Sequence, residues 1–199
     1  MTTVKIYCII KWYDKDKRAG DSMRRDSIVN VVKIALFAAV ISVTAMISVP
    51  IPVPLTLQTF GVFAALFTLG GKNGSIAVAL YLAIGAVGLP VFSSFTGGFG
   101  RLFDLTGGFI WGFLVAALVY WALEAIFAKR RYFQPLASAL ALVLIYALGC
   151  LQFMLVSGSG AGIISALVSC VFPFILPDVV KISIAYIVSK RIKKAAVHL

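Results

Sequence analysis

The 199-residue chain is 61% hydrophobic and only 13% charged, with a formal net charge of +11 and a mean hydropathy of +1.03. A soluble domain carries about a quarter charged residues, so this composition excludes an ordinary water-soluble fold. The basic excess falls in short flanks beside apolar segments and follows the pattern of membrane orientation, not nucleic-acid binding.

Residues 1–26 are polar and charged and read as a cytoplasmic lead. The apolar patch "IYCIIKWY" within it is too short for a signal-peptide core. Met23, followed by Arg24 and Arg25, is an alternative start that would make the lead dispensable. The remainder, residues 27–199, reads as one membrane domain. The first span is expected from Val29 to Val49. It stops before Pro50, Pro52 and Pro54, which lack amide donors and disfavour helix in the residues before them. A short second span follows in "LQTFGVFAALFTLGG", and "KNG" is expected to turn the chain back into a third, "SIAVALYLAIGAVGL", closed by Pro90.

The stretch "VFSSFTGGFGRLFDLTGG" is rich in glycine, serine and aromatics. It reads as a long external loop or re-entrant segment between the third and fourth spans, and its glycines suit either a lid or a plain flexible loop. Spans four and five are expected at about Gly108–Phe127 and Leu136–Val156. "SGSGAG" then breaks the chain, an apolar stretch runs from Ile163, and Pro173 and Pro177 set the start of a sixth span near Asp178.

Six spans place both termini on one side. All but Arg101 and Lys181 of the 18 Lys/Arg residues then face that side, which the positive-inside rule assigns to the cytoplasm. The expected class is therefore an all-α integral membrane protein with six transmembrane helices, N-in and C-in, in the cytoplasmic membrane.

Gln58, Arg101, Asp104, Asp178 and Lys181 fall toward the outer face. Ionisable groups at membrane depth cost about 2.5–3.5 kcal/mol each on insertion scales and usually face a partner or ligand. Asp178 and Lys181, three apart, share a helix face. They form either an intrahelical ion pair or a clamp offering a ligand one acceptor and one donor. Pro177 just before the first turn would leave free amides beside Asp178. Small-xxx-small patterns at Ala35/Ala39 and Gly108/Gly112 allow close helix approach; internal packing is the commoner meaning, and the first, on a terminal helix, can instead dock a partner. Glu124 is expected to pair with the basic cluster Lys129, Arg130 and Arg131.

No chemistry of the enzymatic kind is legible. "GGKNGS" lacks the spacing of a phosphate-binding loop and joins two spans, and there is no serine–histidine or paired-carboxylate arrangement. Cys8, Cys150 and Cys170 share no ligand spacing, and His198 is the single histidine, so neither a metal site nor a disulfide framework is expected. No catalytic residue, metal or cofactor is therefore assigned.

Four segments, "PLTLQTFGVFAALFTLG", "YLAIGAVGLPVF", "TGGFIWGF" and "PFILPDVVKI", together resemble, in order and spacing, the BioY family. These are the biotin-binding S components of energy-coupling factor (ECF) transporters. The resemblance covers about residues 29–190. It implies an S-component-like bundle, a high-affinity external biotin pocket, and uptake of biotin with a transmembrane T component and two ATP-binding cassette ATPases, which use the ATP. By the same resemblance Asp178 and Lys181 match the polar pair of the last helix, Gln58 and Thr59 the first external loop, and Gly97, Gly98 and Arg101 the glycine-rich loop. Ala35 and Ala39 match the helix-one pattern that contacts the T component. Phe92, Phe95, Phe99 and Tyr146 are candidate walls for the ligand ring. The chain departs from "GPTGG", which many relatives carry, having Asp104 and Leu105 in "DLTGG". Alternative functions are an S component for another small vitamin, or a scaffold membrane protein whose Asp178–Lys181 pair fixes helix packing.

Overall fold

The structure is a computed structural model, and it describes residues 24–25, 27–49, 53–128, 130, 132–157 and 162–197. Expectations for the lead, Met23, Pro50, Pro52, Lys129, Arg131 and His198 lie outside the described residues. The chain divides into two compact units, Met1–Lys33 and Ile34–Leu199. In the first, the described residues are helical, with Ile28, Val29, Val31 and Val32 exposed. The second holds everything that follows.

Among the described residues, five helices are long and apolar enough to cross a membrane: Ser27–Met46, Gln58–Ala86, Gly107–Phe127, Phe133–Val156 and Ile164–Ala195. The first, α1, ends three residues earlier than expected. The chain after it forms an antiparallel ladder, β1 (Ser48–Val49) against β2 (Leu55–Thr56), with Ser48 opposite Thr56.

The two segments expected as the second and third spans lie in one helical element, α2 (Gln58–Ala86), interrupted at Gly70 (φ 81, ψ 169). That conformation is essentially restricted to glycine. The chain doubles back there. Gln58 Nε2 reaches the Tyr81 hydroxyl at 3.1 Å, whereas 23 residues of straight helix would separate them by about 34 Å. A Cβ on Gly74 would likewise stand 2.9 Å from the Leu66 Cα. The reversal thus precedes the expected "KNG" turn, whose residues are helical.

Among the described residues, the Glu124 carboxylate accepts the Gly71 amide hydrogen; Lys129 and Arg131 of the basic cluster expected to pair with it lie outside the described residues. The turn exposes backbone donors that an acceptor on the neighbouring helix can satisfy. α3 (Gly107–Phe127) packs on α4 (Phe133–Val156) at close range. A Cβ on Gly112 would meet the Ile145 Cα at 3.0 Å, so the Gly108/Gly112 pattern serves internal packing.

The last apolar region is α5 (Ile163–Cys170) followed by α6 (Phe172–Val197). Pro177 lies inside α6, one turn after its start, and does not mark the beginning of the helix. Near a helix N-terminus its missing amide removes only the bond to the Pro173 carbonyl. The core, around Ile41, Phe63, Tyr81, Ala117, Tyr120 and Ala185, joins α1, α2, α3 and α6.

Candidate functional site

The segment that leads into α2 is tied to α6 by the Lys181 side chain. Lys181 Nζ donates to the Thr56 carbonyl at 2.7 Å and to Asp178 Oδ1 at 2.9 Å. The Tyr146 hydroxyl, from α4, donates to the other carboxylate oxygen, Asp178 Oδ2, at 2.8 Å. The Lys181 and Asp178 side chains are 10% and 5% exposed, so both charges are held out of solvent. Removing either partner from such a pair leaves an uncompensated buried charge. Because Asp178 sits in the second turn of α6, the expected free amides are not what orients it; Tyr146 and Lys181 do so.

These groups line a cavity of about 50 Å³ together with Gln58, Thr59, Ser93 and Thr106. Its apolar wall includes Phe109, Phe113, Ile145 and Phe174, and the Phe109 and Phe174 rings lie 6.4 Å apart. Gln58 and Thr59 open α2 and are buried, within the second span expected from "LQTFGVFAALFTLGG" and not in the external loop that the resemblance implied. The cavity thus offers a carboxylate, an ammonium, an amide and hydroxyls against aromatic surface. That mixture suits a small, largely apolar ligand carrying a few polar groups.

Of the residues singled out from sequence, Asp178, Lys181, Gln58, Thr59 and Tyr146 converge here. Gly97, Gly98 and Arg101 do not line the cavity. Residues 87–106 connect α2 to α3 through two short 3₁₀ turns, Ser93–Phe95 and Phe99–Leu102, and the glycines shape that connection. Gly98 (φ 100) donates its amide hydrogen to the Gly85 carbonyl at 2.8 Å, and a Cβ on Gly97 would collide with the Leu89 carbonyl. Arg101 bonds within the loop, to Thr96 Oγ1 at 3.0 Å and to Asp104. The Leu105 amide and the Arg101 guanidinium together hold the Asp104 carboxyl below its ordinary range.

Among the candidate wall aromatics, Phe92 is buried edge-on against Tyr81, with centroids 5.6 Å apart, and fills the space over Gly85. Phe95 and Phe99 are exposed. The cavity-facing loop residues are instead Ser93 and Thr106. Ser93 precedes two non-glycine residues with positive φ, Ser94 and Phe95, both at 57°, a strained pair.

Several contributors carry no distinctive sequence signal. Thr56 participates through its carbonyl. Gln152, near the C-terminal end of α4, donates to the Leu102 and Asp104 carbonyls at 3.1 and 2.7 Å, and Trp111 Nε1 also donates to Leu102; together they tie the loop to the helices. Ala35 and Ala39 lie on an exposed face of α1.

Residues 17–198 match the family model described as the BioY family. The chain is 41% identical over 171 residues to the "Biotin transporter BioY" of Thermotoga maritima, covering 84% of this chain and 98% of that protein. It is 39% identical over 161 residues to the "Probable biotin transporter BioY" of Pyrococcus horikoshii, covering 80% and 93%. Among solved structures it is similar to the S component for biotin from an ECF-type ABC transporter, with a TM-score of 0.76 and 22% identity over 85% of this chain and 93% of that one. At that identity the likeness concerns the fold.

Proposed function

Since the chain belongs to the BioY family, we propose that it is a transporter subunit, not an enzyme, and that it captures biotin for uptake across the cytoplasmic membrane. The observation that carries the reading is the buried Asp178–Lys181 pair, bonded to Tyr146 and Thr56, in a chain so similar to proteins named biotin transporters. Biotin presents two ureido N–H donors, a carbonyl acceptor, an apolar thiophane ring and a carboxylate. Asp178 accepts from the ureido N–H groups, Lys181 and Gln58 donate to its oxygens, and the Phe109, Phe113 and Phe174 side chains cover the ring. Bonds to charged groups are roughly twice as strong as neutral ones.

The cavity, at about 50 Å³, is far below the ~300–1,000 Å³ usual for small-molecule pockets. Its walls must therefore part to admit the ligand. The loop 87–106 supplies that movement: it contributes Ser93 and Thr106 to the cavity and holds the strained Ser94–Phe95 pair.

The two antiparallel arms of α2 act as separate crossings, which gives six, with both termini in the cytoplasm and the loop outside. Arg130, Lys72 and the residues Lys190–Lys194 then share the cytoplasmic end, as the positive-inside rule requires. The exposed Ala35/Ala39 face of α1 is the seat for a T component, with two ATPases providing energy.

Calorimetric titration of the purified chain with biotin tests the site. Saturable submicromolar binding is expected, with Asp178→Asn weakening it at least about tenfold, the lower range for one hydrogen bond to a charge. Unchanged affinity in Asp178→Asn would move the site elsewhere. Ala35→Trp should abolish co-purification with a T component and leave biotin binding intact; retained co-purification would remove that face from the assembly.

A further inference from the structure

A second, larger cavity of about 410 Å³ opens between α4 and α6. Its walls are Ala139 and Leu142 of α4, Val179, Ile182 and Tyr186 of α6, and Phe67 of α2. Positions 134, 135, 138, 139 and 142 on one helix and 179, 182, 183 and 186 on the other are stripes at helical spacing, so this is an elongated groove. It is not closed off: Pro135, Ala139, Val179 and Ser183 on its rim are exposed. In a chain surrounded by bilayer, such a groove faces acyl chains and not water.

One end of the groove is basic. Lys190 stands over the Tyr186 ring, its Nζ 4.3 Å from the centroid, and Arg191, Lys193 and Lys194 follow on α6. On the opposite wall Gln134 begins the stripe, four residues after Arg130. Both walls therefore run from an apolar slot into cationic side chains. Among the described residues, no carboxylate lines the groove to offset that field.

We propose that this groove is a binding site for an anionic glycerophospholipid. One acyl chain lies between α4 and α6, and the phosphate sits against Lys190 and Arg130. Charge complementarity at the mouth selects an anionic headgroup over a zwitterionic one, because each basic residue near the membrane surface favours an anionic lipid by about fivefold. The site is separate from the Asp178 cavity, and its occupancy does not depend on the identity of the transported ligand.

Native mass spectrometry of the purified full chain, equilibrated with phosphatidylglycerol or phosphatidylcholine of identical acyl chains, tests the proposal. Phosphatidylglycerol adducts should survive activation longer and at lower lipid concentration. Lys190→Gln and Arg130→Gln should each reduce retention several-fold for phosphatidylglycerol and leave phosphatidylcholine unchanged. Ala139→Trp, which fills the slot, should remove the retained lipid; its thermal unfolding profile and biotin titration serve as folding controls. Should Ala139→Trp fail to fold, Ser183→Phe on the opposite wall replaces it. Equal retention of the two lipids, retention unchanged in the slot-filling variant, or displacement of the lipid by a co-purifying protein seated on α4 and α6 would each overturn the assignment.

Discussion

Replacing Lys181 by methionine removes its charge and shortens the unbranched side chain by one heavy atom, which separates the two roles open to the Asp178–Lys181 pair. In the parent, Lys181 Nζ bonds Asp178 Oδ1 and the Thr56 carbonyl at 2.9 and 2.7 Å. After the substitution a carboxylate 5% exposed keeps only the Tyr146 hydroxyl. Breaking a buried pair in this way costs about 3–5 kcal/mol. Asp178→Asn/Lys181→Met removes both charges, and its amide still accepts from Tyr146, so most of that loss should be recovered. Biotin affinity should not recover, because the double variant lacks two charged partners worth about 1.5–3 kcal/mol each. Thermal unfolding by tryptophan fluorescence and calorimetric titration in one detergent give both quantities. A double variant that regains stability and also binds biotin with parental affinity would make the pair structural and refute the clamp.

Tyr146→Phe removes the bond to Asp178 Oδ2 and should lower unfolding stability by about 1.5–3 kcal/mol; an unchanged melting profile would mean that the bond contributes nothing. Gly70→Ala places a side chain at φ 81, ψ 169 and should cost about 1–3 kcal/mol, whereas Gly100→Ala, with open space around it, should be neutral. Equal melting temperatures for those two variants would contradict the strained turn. The Asp104 carboxyl is depressed below the ordinary 3.8, first by the Leu105 amide and then by Arg101. The stability it lends the loop is therefore present above pH 3.8 and lost as pH falls through the lower folded value. Proteolysis of residues 87–106 should be flat from pH 7 to 4 in the parent and faster at pH 7 in Asp104→Asn; equal rates would show that the ion pair does not order the loop.

The pattern of apolar blocks and breakers made the helical class and most helix positions legible, since periodicity and proline placement act locally. The short end of the first helix was not, because Ser48 and Val49 leave it to pair with Leu55 and Thr56, a contact between segments. Asp178 and Lys181 were legible as costly charges on one helix face. Their actual partners, Tyr146 and the Thr56 carbonyl, come from elements that only packing brings together, and a carbonyl carries no residue-type signal. Arg101 and Asp104, at the same spacing of three, satisfy each other in the loop and do not reach the cavity. Spacing alone does not distinguish a pair turned inward from one turned along the surface. The Glu124 contact with the Gly71 amide was not legible either, because a backbone donor carries no residue-type signal.

The reversal at Gly70 also sets a depth. Residues 58–69 rise only about 18 Å, against roughly 30 Å of hydrocarbon. In the topology proposed above, with Gly70 at the cytoplasmic boundary, this arm would stop about 12 Å short of the opposite one. Gln58, at its tip, and the Lys181 and Thr56 groups would then lie below the outer lipid surface. On the same proposal the short β-ladder and the loop 87–106 would fill the remaining thickness as irregular backbone, which a bilayer tolerates only where protein surrounds it or it lines a cavity. A ligand arriving from water would descend past these segments before meeting a charge, in a medium where each bond is stronger than at the surface.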